Sequence, residues 1–231
     1  MNAIIRNIPN SITCVNLLAG CMAIIAAAHG QEQFGALKAY EWAFIFIAIG
    51  AAADFLDGLA ARTLHAYSSL GKELDSLCDL VTFGVAPAMI ILNLFMPQQC
   101  TAWGALLIPV AGAIRLARFN IDTRQATSFI GLPIPANAIF WIGYAALYAH
   151  DGVTALAEWY WFLPVLLVEC WLMNSPIRIF SLKFKNLKFR ENFARYLLVA
   201  AAAVCCLVLG VGGLLWLIVI YVLLSIAFKR Q

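Results

Sequence analysis

Apolar stretches recur along this chain at the length a lipid bilayer demands, and no other feature restricts its fold as strongly. A helical crossing needs about 20 mostly apolar residues, and about eight such stretches can be read, at 12–29, 40–62, 72–95, 102–116, 133–149, 158–173, 196–209 and 212–228. The last two are divided by Gly210, Gly212 and Gly213, which suit either a bend in one helix or a tight hairpin. Of 231 residues, 64% are hydrophobic and 12% charged, against roughly 45–50% and 25% in a soluble domain. A water-soluble globule is therefore excluded. The expectation is an all-α polytopic membrane protein with about eight transmembrane helices.

Charge sets the expected orientation. If the amino terminus is cytoplasmic, every Lys and Arg except Lys38 falls on the inner side, 14 of the 15, which is the asymmetry of the positive-inside rule. An even number of spans with both termini cytoplasmic follows. The segment 174–192 alternates basic and aromatic residues; this suits an anionic membrane surface, and an ordinary inside loop is the preferred reading over a specific lipid site. The seven cysteines lack metal-type spacing and read as small buried hydrophobes. Pro9 and Asn10, with no small-residue cleavage site, argue against a cleavable leader, so the first span is expected to act as its own insertion signal. With no repeat, low-complexity tract or long linker, residues 1–231 are expected to form a single integral membrane catalytic domain.

Within this apolar chain four aspartates stand close together: Asp54 and Asp57, three apart, then Asp75 and Asp79, four apart. On helices each pair shares a face. Four carboxylates in a low-dielectric setting repel and stay ionised only beside strong positive charge, which one or two divalent cations would supply. The alternative is a set of solvated carboxylates at helix ends, with Asp75 favoured by the helix dipole. The interleaved small residues Gly58, Ala61 and Gly71 speak against that, because they let a backbone or a planar ligand approach closely. With the amino terminus inside, the four acids, Arg115 and Arg118 and the polar Asn10, Thr13 and Asn16 all fall at one depth on the cytoplasmic side. Charged groups at such a depth are expensive and mark function by default.

The string D-x-x-D-G-x-x-A-R-x8-G-x-x-x-D-x-x-x-D, from Asp54 to Asp79, resembles the signature of the CDP-alcohol phosphotransferase family of membrane enzymes at all eight fixed positions. Residues 8–20, 75–88, 114–120 and 129–135 further resemble the branch of that family whose acceptor is L-serine. The resemblance implies a six-helix core around a site for a CDP-linked lipid. It implies two divalent ions, Mg²⁺ or Mn²⁺, with Asp54, Asp57, Asp75 and Asp79 as metal ligands and Asp79 as general base. CDP-diacylglycerol would lie against Asp57, Gly58, Ala61 and Gly71, with Asn10, Thr13 and Arg62 near its phosphate or sugar. The implied reaction is transfer of a phosphatidyl group to serine, releasing CMP, by a transferase of phospholipid biosynthesis at the cytoplasmic face of the cell membrane, with a homodimer as the implied assembly and no nucleic-acid partner.

For the acceptor pocket the residues themselves suggest Arg115 and Arg118 as donors to a carboxylate, and Asp122 or Glu169 for an ammonium. The same chemistry with glycerol 3-phosphate, inositol or choline remains open on physical grounds. So does, from another class, a divalent-cation transporter, although no second acidic pair duplicates the first in the later half of the chain. His29, His65 and His150 sit at span ends or in loops and read as interfacial residues rather than ligands.

Overall fold

The computed structural model describes residues 3–96, 99–122, 129–180 and 192–228. They are almost wholly helical. Helix α1 spans Ala3–Ala28, α2 Ala39–Thr63, α3 Ser69–Asp79, α4 Ala86–Phe95, α5 Leu107–Ile121, α6 Ile134–Ala149, α7 Trp159–Asn174, α8 Phe193–Leu209 and α9 Gly213–Ala227. Four two-residue strands lie in the connections: β1 (Gln33–Phe34) pairs antiparallel with β2 (Leu37–Lys38), and β3 (Phe129–Ile130) with β4 (Arg178–Ile179). By contacts the chain divides into two compact units, Met1–Ile121 and Asp122–Gln231.

In the first unit α1 and α2 pack along one another, joined by the short β1–β2 hairpin with Gly35 at φ +65° in its turn. Helix α2 begins where the Lys38 backbone N–H donates to the Glu41 carboxylate at 2.7 Å, and α3 where Ser68 accepts from the Gly71 N–H at 2.9 Å. Such a Ser cap contributes about 1 kcal/mol. It places the start of α3 three residues ahead of the expected span, so Asp75 stands in the second turn of the helix. Helices α3 and α4 are one continuous stretch, Ser69–Phe95, of which 67% of the most apolar window is buried, against 28–39% in the other three spans of this unit. It is the central helix of the unit.

This central helix widens into a π turn at Leu80–Val85, where the Ala86 N–H reaches back five residues to the Val81 carbonyl. Pro87 explains the position: it has no N–H to donate, and in a regular helix its ring would press on the carbonyl four residues earlier. Glycines bring the neighbouring helices close at the same level. A Cβ on Gly20 would strike the backbone and hydroxyl of Thr82, and one on Gly50 would meet the Thr82 methyl and the Asn16 Oδ1. A 3₁₀ segment, Cys100–Leu106, leads into α5.

In the second unit α6 is buried nearly all round, from Ile134 and Asn137 to Tyr148. Gly143 lets the backbone of α9 lie against it at Leu215. The stretch Phe193–Ala227 is 35 residues long. As one straight helix it would exceed a bilayer core of about 30 Å by some 20 Å at 1.5 Å per residue. It folds back instead: Gly210 takes φ +54°, and Gly213 lies against the Cys205 carbonyl. Of the two alternatives open in the sequence, the tight hairpin is the one formed.

The structure thus bears out an all-α polytopic membrane protein. Each expected apolar stretch is helical, and among the described residues five stretches are long and apolar enough to cross a membrane by length and composition. The cysteines need a correction. Only Cys78 is buried, while Cys14, Cys21, Cys100 and Cys206 are exposed on the protein surface, where an apolar thiol on a membrane-spanning helix meets lipid at little cost. Arg124 and residues 181–191, which hold the basic part of the 174–192 segment, lie outside the described residues.

Candidate active site

Three helices of the first unit converge on the acids. The carboxylates of Asp54 and Asp57 on α2 and Asp75 on α3 offer ligand oxygens that all lie within 4.8 Å of one another, and among the described residues this is the one group of three or more His, Cys, Asp or Glu so placed. The sequence spacing made each pair share a face; packing of α2 against the central helix brings the two faces together. Asp75 Oδ1 is buried with no hydrogen-bond partner. None of the four aspartates is ion-paired among the described residues. Clustered hard oxygen donors, one buried and two half-buried, fit a divalent cation, which takes carboxylate oxygens.

Asp79 stands one helical turn beyond Asp75, at the junction with the π turn and outside that threesome. It is buried, and its Oδ1 accepts from Asn16 Nδ2 at 3.2 Å. Arg115 on α5 is also buried, within electrostatic reach of Asp79, with its guanidinium carbon 5.7 Å from the Phe119 ring centre and its Nε without a partner.

Helix α1 brings a polar stripe to these acids. Thr13 Oγ1 lies 2.5 Å from Asp57 Oδ2 and 3.0 Å from the Pro9 carbonyl, so its single proton serves these two acceptors. Asn10 Oδ1 would lie 2.9 Å from a Cβ on Gly71. Residues 10, 13 and 16 are three apart and so share one face. The sequence reading assigned Asn10 and Thr13 to the nucleotide; here the Thr13 hydroxyl is engaged with Asp57 and the Asn10 amide lies over Gly71.

Two further residues emerge from the packing. Asn120, at the end of α5, donates from Nδ2 to Ser76 Oγ at 3.0 Å and Glu73 Oε2 at 3.2 Å, while its backbone carbonyl accepts from Lys72 Nζ at 2.6 Å. It latches α5, and with it Arg115, to α3. Thr82 donates to the Asn16 carbonyl at 3.0 Å from within the π turn. Neither was assigned a role from sequence, because an Asn or Thr at a helix end or in a turn carries no signal of its own until its partner is known.

Gly58 differs from the helical glycines Gly20, Gly50 and Gly71. A Cβ there would find only the Arg62 Nη2, at 3.7 Å. No helix packing requires a glycine at this position, although a helix-interior Gly costs roughly 0.5–1 kcal/mol relative to Ala. Arg62 is exposed and donates from Nε to the Gly58 carbonyl at 2.8 Å, so it lies along its own helix beside this open surface. Arg118 is exposed and Asp122 half-buried. Asp122 and Glu169 belong to the second unit, where Glu169 on α7 is buried with Oε2 unpartnered.

A family model described as CDP-alcohol phosphatidyltransferase matches residues 6–171 of the chain. Among named proteins, the CDP-diacylglycerol–serine O-phosphatidyltransferase of Mycobacterium leprae (strain TN) is 33% identical over 240 residues, covering 96% of this chain and 73% of that protein. The protein of the same name from Bacillus subtilis (strain 168) is 40% identical over 134 residues, covering 55% of this chain and 69% of its own. That from Methanocaldococcus jannaschii is 36% identical over 143 residues, covering 62% of each.

Proposed function

The chain belongs to the CDP-alcohol phosphatidyltransferase family, and from that premise we propose that it transfers the phosphatidyl group of CDP-diacylglycerol to the hydroxyl of L-serine, giving phosphatidylserine and CMP. The observation that carries the reaction class is the gathering of Asp54, Asp57 and Asp75 within 4.8 Å, with the buried Asp79 one helical turn beyond Asp75. Serine as acceptor is supported by the names of the similar proteins.

Asp54, Asp57 and Asp75, with Asp79 beside them, would hold divalent metal, Mg²⁺ or Mn²⁺, which when bound would supply positive charge against the pyrophosphate and the departing CMP. The protein's own groups do the rest. Gly58, Ala61 and Gly71 leave space for the cytidine, with Asp57, Arg62, Asn10 and Thr13 around its phosphate and sugar. Asp79 accepts the proton of the serine hydroxyl. The serine oxygen then bonds to the lipid-bearing phosphorus as the bond from that phosphorus to CMP breaks, with no covalent enzyme intermediate. Arg115, whose Nε has no protein partner, receives the serine carboxylate with Arg118 beside it. A homodimer embedded in the cytoplasmic membrane, with both termini and the active site on the cytoplasmic side, completes the reading.

An acceptor screen tests it: purified protein with CDP-diacylglycerol and Mn²⁺ or Mg²⁺, following CMP release and lipid product. Serine-dependent phosphatidylserine is the expected result. Turnover with glycerol 3-phosphate, inositol or choline instead would discard the serine pocket, and no turnover with any alcohol would discard the enzymatic reading.

A further inference from the structure

Asn16 is wholly buried in α1, with 0% of its surface exposed, on the polar stripe of an otherwise apolar helix. A desolvated amide there is costly unless its hydrogen bonds are useful. Two hydrogen bonds fix it. Nδ2 donates to Asp79 Oδ1 at 3.2 Å. Its backbone carbonyl is held by the Thr82 hydroxyl at 3.0 Å. Its Oδ1 is buried without a hydrogen-bond partner, in space left open by Gly50, where a Cβ would come within 2.9 Å. The orientation of the amide is assigned by chemistry: reversed, its oxygen would face a carboxylate oxygen with no proton between them.

The χ2 torsion of an aspartate joins an sp³ to an sp² centre and is broad, so a carboxylate turns unless something holds it. Asn16 holds one oxygen of Asp79. The other, Oδ2, makes no hydrogen bond among the described residues. The geometry points to Asn16 as a positioning residue of the transfer reaction: its amide locks the rotation of the Asp79 carboxylate and presents Oδ2 to the acceptor hydroxyl. Thr82 and Gly50 in turn keep Asn16 in place, which gives the π turn and the close helix crossing a purpose at the reacting end of the central helix. The inference rests on Asp79 being the base.

The test compares Asn16→Leu, of the same branched shape without a donor, with Asn16→Ser, smaller and able to donate, in the full-length protein. A misplaced reacting group costs on the order of 100-fold. Asn16→Leu is expected to lower kcat by that order, while KM for CDP-diacylglycerol and the metal concentration for half-maximal rate change by less than about threefold. Asn16→Ser should recover part of kcat. A purely structural residue would instead move thermal stability and both KM values together in the two variants, and that result overturns the inference, as does an Asn16→Leu enzyme with kcat near the parent's. If Asn16→Leu does not fold, Asn16→Ser alone decides: kcat lowered with KM retained supports the role, and unchanged kcat refutes it. Asp79→Asn separates the two readings. Turnover retained in that variant removes the base assignment and everything built on it, whereas an inactive Asp79→Asn beside a fully active Asn16→Leu removes the positioning role alone.

Discussion

Thr13 and Asn16 each direct a side-chain donor at a carboxylate, and the two acids they serve differ in role. Thr13 touches Asp57, one of the three clustered oxygen donors. Hydrogen bonds that orient a ligating group typically matter by 10–100-fold in metal affinity. Thr13→Val, which keeps the shape and removes the proton, should therefore raise the Mn²⁺ concentration needed for half-maximal activity by about tenfold or more, with kcat at saturating metal largely restored; a metal titration of the rate reads this directly. Asp54→Asn should weaken metal binding and turnover together. Asp79→Asn should abolish turnover while CDP-diacylglycerol still binds, and an equilibrium binding measurement on that variant distinguishes loss of chemistry from loss of substrate.

On the helices α1 and α2, Gly20 and Gly50 are demanded by packing and Gly58 is not. Gly20 and Gly50 let α1 and α2 approach the central helix at Thr82. Gly20→Leu must push them apart, and a loss of several kcal/mol, in the range of severe overpacking, should appear as poor recovery and a lowered melting temperature in detergent. Gly58 has open space instead, so Gly58→Ala should leave stability equal or raise it by up to about 1 kcal/mol through helix propensity, yet raise KM for CDP-diacylglycerol because the methyl enters the substrate's room. Opposite signs in stability and substrate affinity are the diagnostic. The latch at Asn120 works between elements: Asn120→Ala breaks the bonds to Ser76 and Glu73, frees α5 to shift, and should raise KM for serine more than KM for the CDP-lipid, as acceptor-dependence kinetics would show.

For the chain as a whole, the family match ends at residue 171, and the α8–α9 hairpin lies beyond it. Within the second unit α9 nonetheless covers α6 at Gly143, and the Tyr221 hydroxyl donates to the Phe180 carbonyl at 2.8 Å. A chain ended after Asn192 should lose that cover and aggregate on size-exclusion chromatography in detergent. Much of this was legible in the linear sequence. Hydrocarbon cannot solvate backbone polar groups, so each long apolar stretch had to become a helix, and all eight did. Helical periodicity put Asp54 with Asp57 and Asp75 with Asp79 on shared faces, because intervals of three and four residues return to the same side of any α-helix. The partners of those faces were not legible. That Thr13 meets Asp57, that Asn16 grips Asp79, that Asn120 ties α5 to α3 and that Gly58 opens onto space depend on how helices are rotated and spaced, which is set by glycine contacts and a proline-induced π turn acting over distances of 44 to 66 residues in the chain. The sequence by itself determined the medium, the helices and the acids; the tertiary structure alone decided which polar groups face them, because side-chain pairing between helices is a property of packing and has no period along the chain.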